Sequence, residues 1–473
     1  MAKGGKKLKV LFASSEVAPF SKTGGMADVA GSLPVALHKA GIDIRVVTPR
    51  YKSVIDFCGA KVNDTSGSKA ILRGGVPVYF IENDAYFMRD NLYGDEKGDY
   101  PDNLDRFVFF SRRILELLKE IDFKPDIIHC NDWQTALVPV YLKEIYGIDP
   151  FYAGTKTVLT IHNIAYQGIF SKYEFPKTGL PWDYFTMHRL EFYDMVNILK
   201  GGLVFADRIT TVSPAYAKEI QTPEFGYGLN GMLYDRRGSL SGILNGIDYN
   251  QWNPAKDKEL KHHFSVSRLD GKYKDKLALQ KKSGLEQRAD IPLIGVVSRL
   301  ADQKGLDLIS QIIHSLLATD MQFILLGTGE ERYHRLFEGI KMKFPGKASI
   351  NLRFDALLAK QIYAGADMFL MPSRYEPCGL GQMISLRYGT IPIVRNTGGL
   401  ADTITEYDPK TARGTGFVFD GYDAGELFNA IKRATDIYRQ RGLWKKLVAN
   451  AMRCDFSWDA SARKYMEAYE KLI

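Results

Sequence analysis

"KVLFASSE" (residues 9–16), "ADVAGSLPVALHKAG" (27–41) and "DIRVVTP" (43–49) together decide the fold. The first and third are short apolar runs that read as buried strands. The second has a helical period, with Val29, Leu33, Leu37 and Ala40 on one face and Gly41 as its stop. Strand, helix and strand in this order make a βαβ unit, the building block of a parallel α/β sheet. Between strand and helix lies "SKTGGMADVAG" (21–31). Its hexapeptide "TGGMAD" returns as "TGGLAD" at 397–402, after the apolar "IPIVRN".

The alternation continues outward from this unit. "PDIIHCNDWQTALVPVYLKEIY", "KTVLTIHNIAYQG" and "DRITTVSPAYAKEI" each read as a strand and a turn, two of them leading on into a helix. The aromatic and polar segments "NDAYFMRDNLYGDEKGDYPDN" and residues 165 to 200 interrupt the series and read as lids or insertions over a cleft. Residues 243 to 290, punctuated by Asn, Gly and Pro and then charged, read as a linker. A second series follows: "LIGVVSRL", "LDLISQIIHSLLA", "MQFILLGTG", "ASINLRF", "LAKQIYAGA", "DMFLMPS", "LGQMISLRYG", "IPIVRN" and "TGFVF", then the helices "AGELFNAIKRATDIY" and "ASARKYMEAYEKL". The prediction is an α/β protein of two Rossmann-like, doubly wound domains, with ligands at the carboxyl ends of the strands and a cleft between the halves.

The length of 473 residues agrees with two domains. No apolar stretch approaches the ~20 residues of a membrane span, and the basic start "MAKGGKKLK" lacks the apolar core of a signal peptide, so a cytoplasmic protein without membrane association is expected. Cys58, Cys130, Cys378 and Cys454 are widely spaced and predict free thiols rather than a disulfide framework or zinc site. The net charge of +8 is spread over interleaved acidic and basic residues, and no nucleic-acid module is present.

Gly24 and Gly25, beside Lys22, stand where a strand gives way to a helix. That pattern fits an anion site, and equally a tight turn that needs glycine. Neither G-x-G-x-x-G nor G-x-x-x-x-G-K-[ST] occurs, which argues against dinucleotide cofactors and P-loop chemistry. "SRLADQKG" (298–305) puts Arg299 and Lys304 at a strand-to-helix turn, where two cations suit a diphosphate or simply a solvated surface. "SRYEPCGLGQ" (373–382) suits a Glu376 carboxylate aimed at sugar hydroxyls, with Gly379 and Gly381 freeing backbone amides at a helix start, and equally a Glu376 that partners a helix dipole. "HCNDWQ" and "TIHNIAYQG" place Asp132, His162 and Asn163 at strand ends, where a His beside Asn is more often structural than catalytic. With no G-x-S-x-G elbow and no H-E-x-x-H, group transfer without metal or other cofactor is the expectation.

In combination, "SSEVAPFSKTGGMADV", "HCNDW", "TIHNIAYQG", "NGIDYNQWNP", "SRLADQKG", "YAGADMFLMPSRYEPCGLGQM" and "RNTGGLADTI" resemble the bacterial glycogen synthase and plant starch synthase family. The resemblance implies the glycosyltransferase-B fold, with an N-terminal acceptor-side domain over 1–245, a C-terminal donor domain over 246–455, and a helix over 456–473 crossing back. It implies transfer of glucose from ADP-glucose to the non-reducing end of glycogen or another α-1,4-glucan, with retained configuration. Other retaining transfers, from UDP-glucose or to a small sugar, are the alternative, and a non-catalytic glucan-binding protein is a remote one. Carried over by position, Lys22, Gly24 and Gly25 meet the donor phosphates, and Arg299 and Lys304 hold the diphosphate. Glu376 with Cys378, Gly379 and Leu380 holds the glucose, and Asp132, His162, Asn163 and Asn245 serve the sugar and donor. Glu16, Asp28 and Tyr93 stand near donor or acceptor, with Thr397 and Gly398 at a cleft-facing turn. Gly381 departs from the family, which commonly has a hydroxyl residue there.

Overall fold

The computed structural model describes residues 7–58 and 69–473, Cys58 by its backbone alone. The first six residues of the basic start and the Cys58 thiol therefore lie outside the described residues. The chain divides into two compact units, Met1–Gly246 with Trp458–Ile473, and Ile247–Ser457.

The first unit is built on an eight-stranded sheet: β1 (Lys9–Ala13), β2 (Asp43–Pro49), β3 (Lys69–Leu72), β4 (Val76–Ile81), β5 (Ile127–Asn131), β6 (Lys156–Ile161), β7 (Arg208–Thr211) and β8 (Leu240–Gly242). The spatial order is β8-β7-β6-β5-β1-β2-β4-β3. Every pairing is parallel except that of β3 with β4 at the edge. The central strands are buried on both faces, as helix-covered parallel strands must be.

The helix Gly25–Lys39 buries Val29, Leu33 and Leu37 as the period predicts, and Gly41 ends it with φ +106. Ala40 is a correction. It is the exposed C-cap, because the last turn has already lifted off the sheet. The helix Asn103–Glu120 was not anticipated. It buries Leu104, Phe107, Ile114, Leu115 and Leu118, an i, i+3, i+4 stripe that the sequence itself displays. The segment 165–200 folds in part as a three-stranded antiparallel sheet of Ile169–Ser171, Glu191–Phe192 and Met195–Asn197. The last helix, Trp458–Glu470, packs on Gly25–Lys39, and its Tyr469 hydroxyl lies 2.6 Å from Nδ1 of the buried His129.

The second unit carries β9 (Leu293–Val297), β10 (Gln322–Leu326), β11 (Ala348–Asn351), β12 (Met368–Met371), β13 (Ile391–Arg395) and β14 (Phe417–Phe419). They are all parallel, in the order β11-β10-β9-β12-β13-β14. Much of the stretch read as a linker is packed structure. Leu260, Phe264 and Leu269 are buried, and the helix Asp270–Lys282 buries the lysines Lys272 and Lys276. Lys272 Nζ donates to the carbonyls of Ala364 and Ala366 and to Thr390 Oγ1, and Lys276 pairs with Asp367 at 2.7 Å. Burial pushes the Lys272 ammonium down to about 7.

In both sheets the strand order reverses at one place, between β1 and β5 in the first unit and between β9 and β12 in the second. The two strands there send their following loops in opposite directions and open a crevice at their carboxyl ends.

Candidate active site

In the first unit, the chain leaving β1 delivers Glu16 to this switch point. Glu16 is buried and its carboxylate accepts hydrogen bonds from the Thr23 amide (2.6 Å), the Thr23 hydroxyl (2.6 Å), the Gly24 amide (3.3 Å) and the Tyr93 hydroxyl (2.8 Å). Tyr93 also meets Ser15 Oγ at 2.8 Å. Burial and the adjacent Glu16 carboxylate raise the Tyr93 phenol well above its usual range, so it stays a donor. The glycine turn is thus tied down by a carboxylate from its own unit. Lys22, meanwhile, is held by Asp28, at 2.7 and 2.8 Å from its two carboxylate oxygens. Lys22, Thr23, Phe20, Phe57, Asn91 and Tyr93 border a cavity of about 740 Å³.

β5 delivers Asp132 to the other side of the same switch point. Its backbone has φ +54, a left-handed conformation that a non-glycine residue adopts at a cost. Its Oδ1 accepts the His162 amide at 2.7 Å. Burial raises the carboxyl to about 7 against the opposing effect of the His162 and Asn163 amides, with the Glu16 charge adding to the rise. His162 Nε2 lies 2.9 Å from Asn131 Oδ1. Asn131 Nδ2 donates to Ala13 O, so its Oδ1 faces the ring as acceptor and the His162 proton sits on Nε2. Burial lowers the imidazole to about 3 and keeps it neutral. Asn163 Oδ1 accepts the Ala165 amide, shaping the loop. Asn245 is buried near the end of this unit, and its Oδ1 has no hydrogen-bond partner among the described residues.

In the second unit, the turns after β9 and β12 bring their charges into contact. Lys304 Nζ donates to Glu376 Oε2 at 2.7 Å, and Ser373 Oγ donates to the same oxygen at 3.0 Å. Arg299 is exposed and makes no ion pair among the described residues. Arg299, Lys304, Glu376, Gly379, Leu380 and Gly381 share one cavity of about 210 Å³. Gly379 has φ +72, and a Cβ there would stand 2.5 Å from Gln382 Oε1. Cys378 is buried and its carbonyl accepts from Gln382 Nε2. Gly381, the departure from the family pattern, has a local reason. A Cβ at this position would lie 3.0 Å from the Phe369 ring and 3.3 Å from the Tyr363 hydroxyl.

The two TGG-A-D stretches do different work. At the first, a Cβ on Gly24 would meet nothing within 4 Å, so the glycine leaves open space. At the second, Thr397 is buried and Gly398 has φ +45. The Gly399 amide donates to Glu376 O, and a Cβ on Gly399 would fall 2.0 Å from Cys378 O. Here the glycine permits two backbones to touch. Asn131, Ser15 and Ser373 were missed by sequence reasoning, although each stands inside a stretch already quoted. Asn131 and Ser15 gain their roles through partners far along the chain, His162 and Tyr93, whereas Ser373 bonds Glu376 only three residues on. No group of three or more His, Cys, Asp or Glu that could hold a metal occurs among the described residues.

Two Rossmann-type sheets of this order, each with a crevice at its switch point, are the architecture of the GT-B glycosyltransferases. Residues 9–235 match the family described as starch synthase catalytic domain, and residues 279–450 that described as glycosyl transferases group 1. The chain is 48% identical over 476 residues to a glycogen synthase of Geotalea uraniireducens, covering 98% of each chain. It is 46% identical over 486 residues to a glycogen synthase of Thermotoga maritima, covering 98% and 99%. Among solved structures it is similar to the catalytic domain of starch synthase IV from Arabidopsis thaliana bound to ADP and acarbose, with TM-score 0.89, 36% identity and 99% of each chain covered. The sucrose-phosphate synthase of Thermosynechococcus elongatus, at TM-score 0.61 and 17% identity, shares the fold. The chain belongs to the glycogen synthase and starch synthase family of hexosyltransferases.

Proposed function

We propose that the protein is a glycogen synthase that moves glucose from ADP-glucose to the non-reducing end of an α-1,4-glucan with retention of configuration. The bond from glucose C1 to the β-phosphate oxygen breaks and ADP departs. The acceptor 4-hydroxyl oxygen then bonds C1 on the same face, and its proton passes to the departing phosphate. The requirement on the protein is stabilisation of diphosphate charge and orientation of two sugars.

The observation that carries this reading is the Lys304–Glu376 pair at the switch point of the second unit, with Arg299, which makes no ion pair among the described residues, lining the same cavity. The two cations suit the diphosphate. Glu376, already oriented by Lys304 and Ser373, suits the glucose hydroxyls, as do the amides of Cys378, Gly379 and Leu380. Lys22 with Gly24 and Gly25 is assigned to donor phosphate, and Asn245 to the donor. Asp132, neutral His162 and Asn163 are assigned to the transferred sugar, Glu16, Asp28 and Tyr93 to donor or acceptor, and Thr397 and Gly398 to a supporting turn. Among the described residues no helix is long and apolar enough to cross a membrane; Cys130, Cys378 and Cys454 form no disulfide, which supports a reducing, cytoplasmic setting.

Purified protein given labelled ADP-glucose or UDP-glucose with glycogen tests the reading. Incorporation from ADP-glucose with lengthened outer chains is the expected result. A disaccharide product, or no incorporation from either donor, overturns it.

A further inference from the structure

We infer that Tyr193 and Tyr227 form an outer platform on which the α-glucan acceptor stacks; this rests on the glucan reading above. Six non-glycine residues have positive φ among the described residues, and two of them are aromatic: Tyr193 at +51 and Tyr227 at +48. Both are exposed, Tyr193 by 78% and Tyr227 by 44%. Tyr193 and Asp194 (φ +62) form the two-residue turn between Glu191–Phe192 and Met195–Asn197. Such a turn requires positive φ at both places, and Asn-Gly would meet that requirement at less cost. Tyr227 precedes Gly228 (φ +81), so a glycine in its own place would likewise relieve the backbone. Twice, then, a large ring is presented to solvent in a conformation that disfavours it, and such strain concentrates at ligand sites.

The two turns are neighbours. A Cβ on Gly228 would lie 2.8 Å from Phe192 Cζ and 3.5 Å from Tyr193 Cε2. They are also registered to the candidate site. Gln167, buried in the loop that carries His162 and Asn163, donates to Tyr227 O at 3.1 Å and to Ile164 O at 3.0 Å, while its Oε1 accepts from Asn197 Nδ2 at 2.6 Å. One side chain thereby ties the Tyr227 turn, and the strand that follows the Tyr193 turn, to that loop. Lys172 neutralises Asp194 at 2.6 Å, so the charge inside the Tyr193 turn itself is paired. Flat rings without net charge suit the C–H faces of a neutral, hydroxyl-rich polymer, and a polymeric acceptor has residues beyond those at the reacting end.

The test uses Tyr193→Gly, Tyr227→Gly and the double variant of the full chain, since glycine removes the ring and the strain together. Expected are a roughly tenfold rise in KM for glycogen, equivalent to ~1.4 kcal/mol, an unchanged KM for ADP-glucose, unchanged rates with maltotriose, and a Tm equal to or above that of the parent. An unchanged KM for glycogen, or an equal loss with maltotriose, overturns the platform. Native gels cast with glycogen read it without catalysis. Retardation of the parent chain that the double variant loses supports the platform even if no transfer occurs, and equal retardation of both overturns it.

Discussion

Lys304 Nζ and Glu376 Oε2 lie 2.7 Å apart, joining the turn after β9 to the turn after β12 across the point where the sheet order reverses. Seventy-two positions separate them in the chain. The pair presets a cation and a carboxylate before any ligand arrives, so neither side chain has to be ordered at the moment of reaction.

Replacing Lys304 therefore removes charge stabilisation and also leaves Glu376 without its cation. Lys304→Ala is expected to lower kcat by ~10²-fold or more, as loss of an oxyanion donor does. Steady-state kinetics at saturating donor check this, and unchanged turnover would show that the diphosphate role is misassigned.

A second expectation concerns pH. Burial holds Asp132 near 7 in the folded chain, so at pH 5 the native carboxyl is protonated while the unfolded one is ionised. Its contribution to stability is full below the unfolded value near 4 and is lost as pH rises through 7. Asp132→Asn should thus gain stability relative to the parent between pH 5 and 8. An inflection near pH 7 in the parent's rate profile should also disappear.

The buried imidazoles act with the opposite sign. His129 and His162 are both held neutral, near 3, by burial. The unfolded chain takes up their protons below about 6.5, so stability falls as pH drops from there toward 3. Urea midpoints measured from pH 7 to 4 read the slope. His129→Gln, which removes one such group, should make it shallower.

The two glycine turns separate steric need from ligand need. Gly399→Ala forces a methyl group to within 2.0 Å of Cys378 O and is expected to cost ~1–3 kcal/mol, lowering Tm by several degrees. Gly24→Ala meets nothing within 4 Å at φ −147 and should leave Tm unchanged while raising KM for the nucleotide sugar. Equal Tm losses in the two variants would contradict this division.

Arg106 is fully buried and makes no ion pair with a carboxylate among the described residues. Its guanidinium donates to Tyr86 O, Leu92 O and Asn103 Oδ1, and Asn103 Nδ2 donates to Tyr93 O. It therefore sets the segment that presents Tyr93 to Glu16. Arg106→Met keeps much of the volume but strands those acceptors. It should cost about 3 kcal/mol in urea unfolding and lower kcat/KM for transfer.

Sequence alone determined the alternation of strands and helices, because parallel strands buried on both faces leave continuous apolar runs such as "KVLFA" and "DMFLM", and glycine marks the turns that follow. It also assembled the motif set that identifies the family. It did not disclose that Asp270–Lys282 is a packed helix, since Lys272 and Lys276 look like solvated charge until the carbonyls of Ala364 and Ala366 and the Asp367 carboxylate are placed beside them. Only the tertiary structure decided that Glu16 binds its own glycine turn, that Lys304 meets Glu376, and that Gly399 lies against Cys378 O while Gly24 faces open space. The contacts of Lys304 with Glu376 and of Gly399 with Cys378 bring separate stretches of chain together, and Glu16 folds back onto a turn seven and eight positions further on; local propensity carries no information about such arrivals.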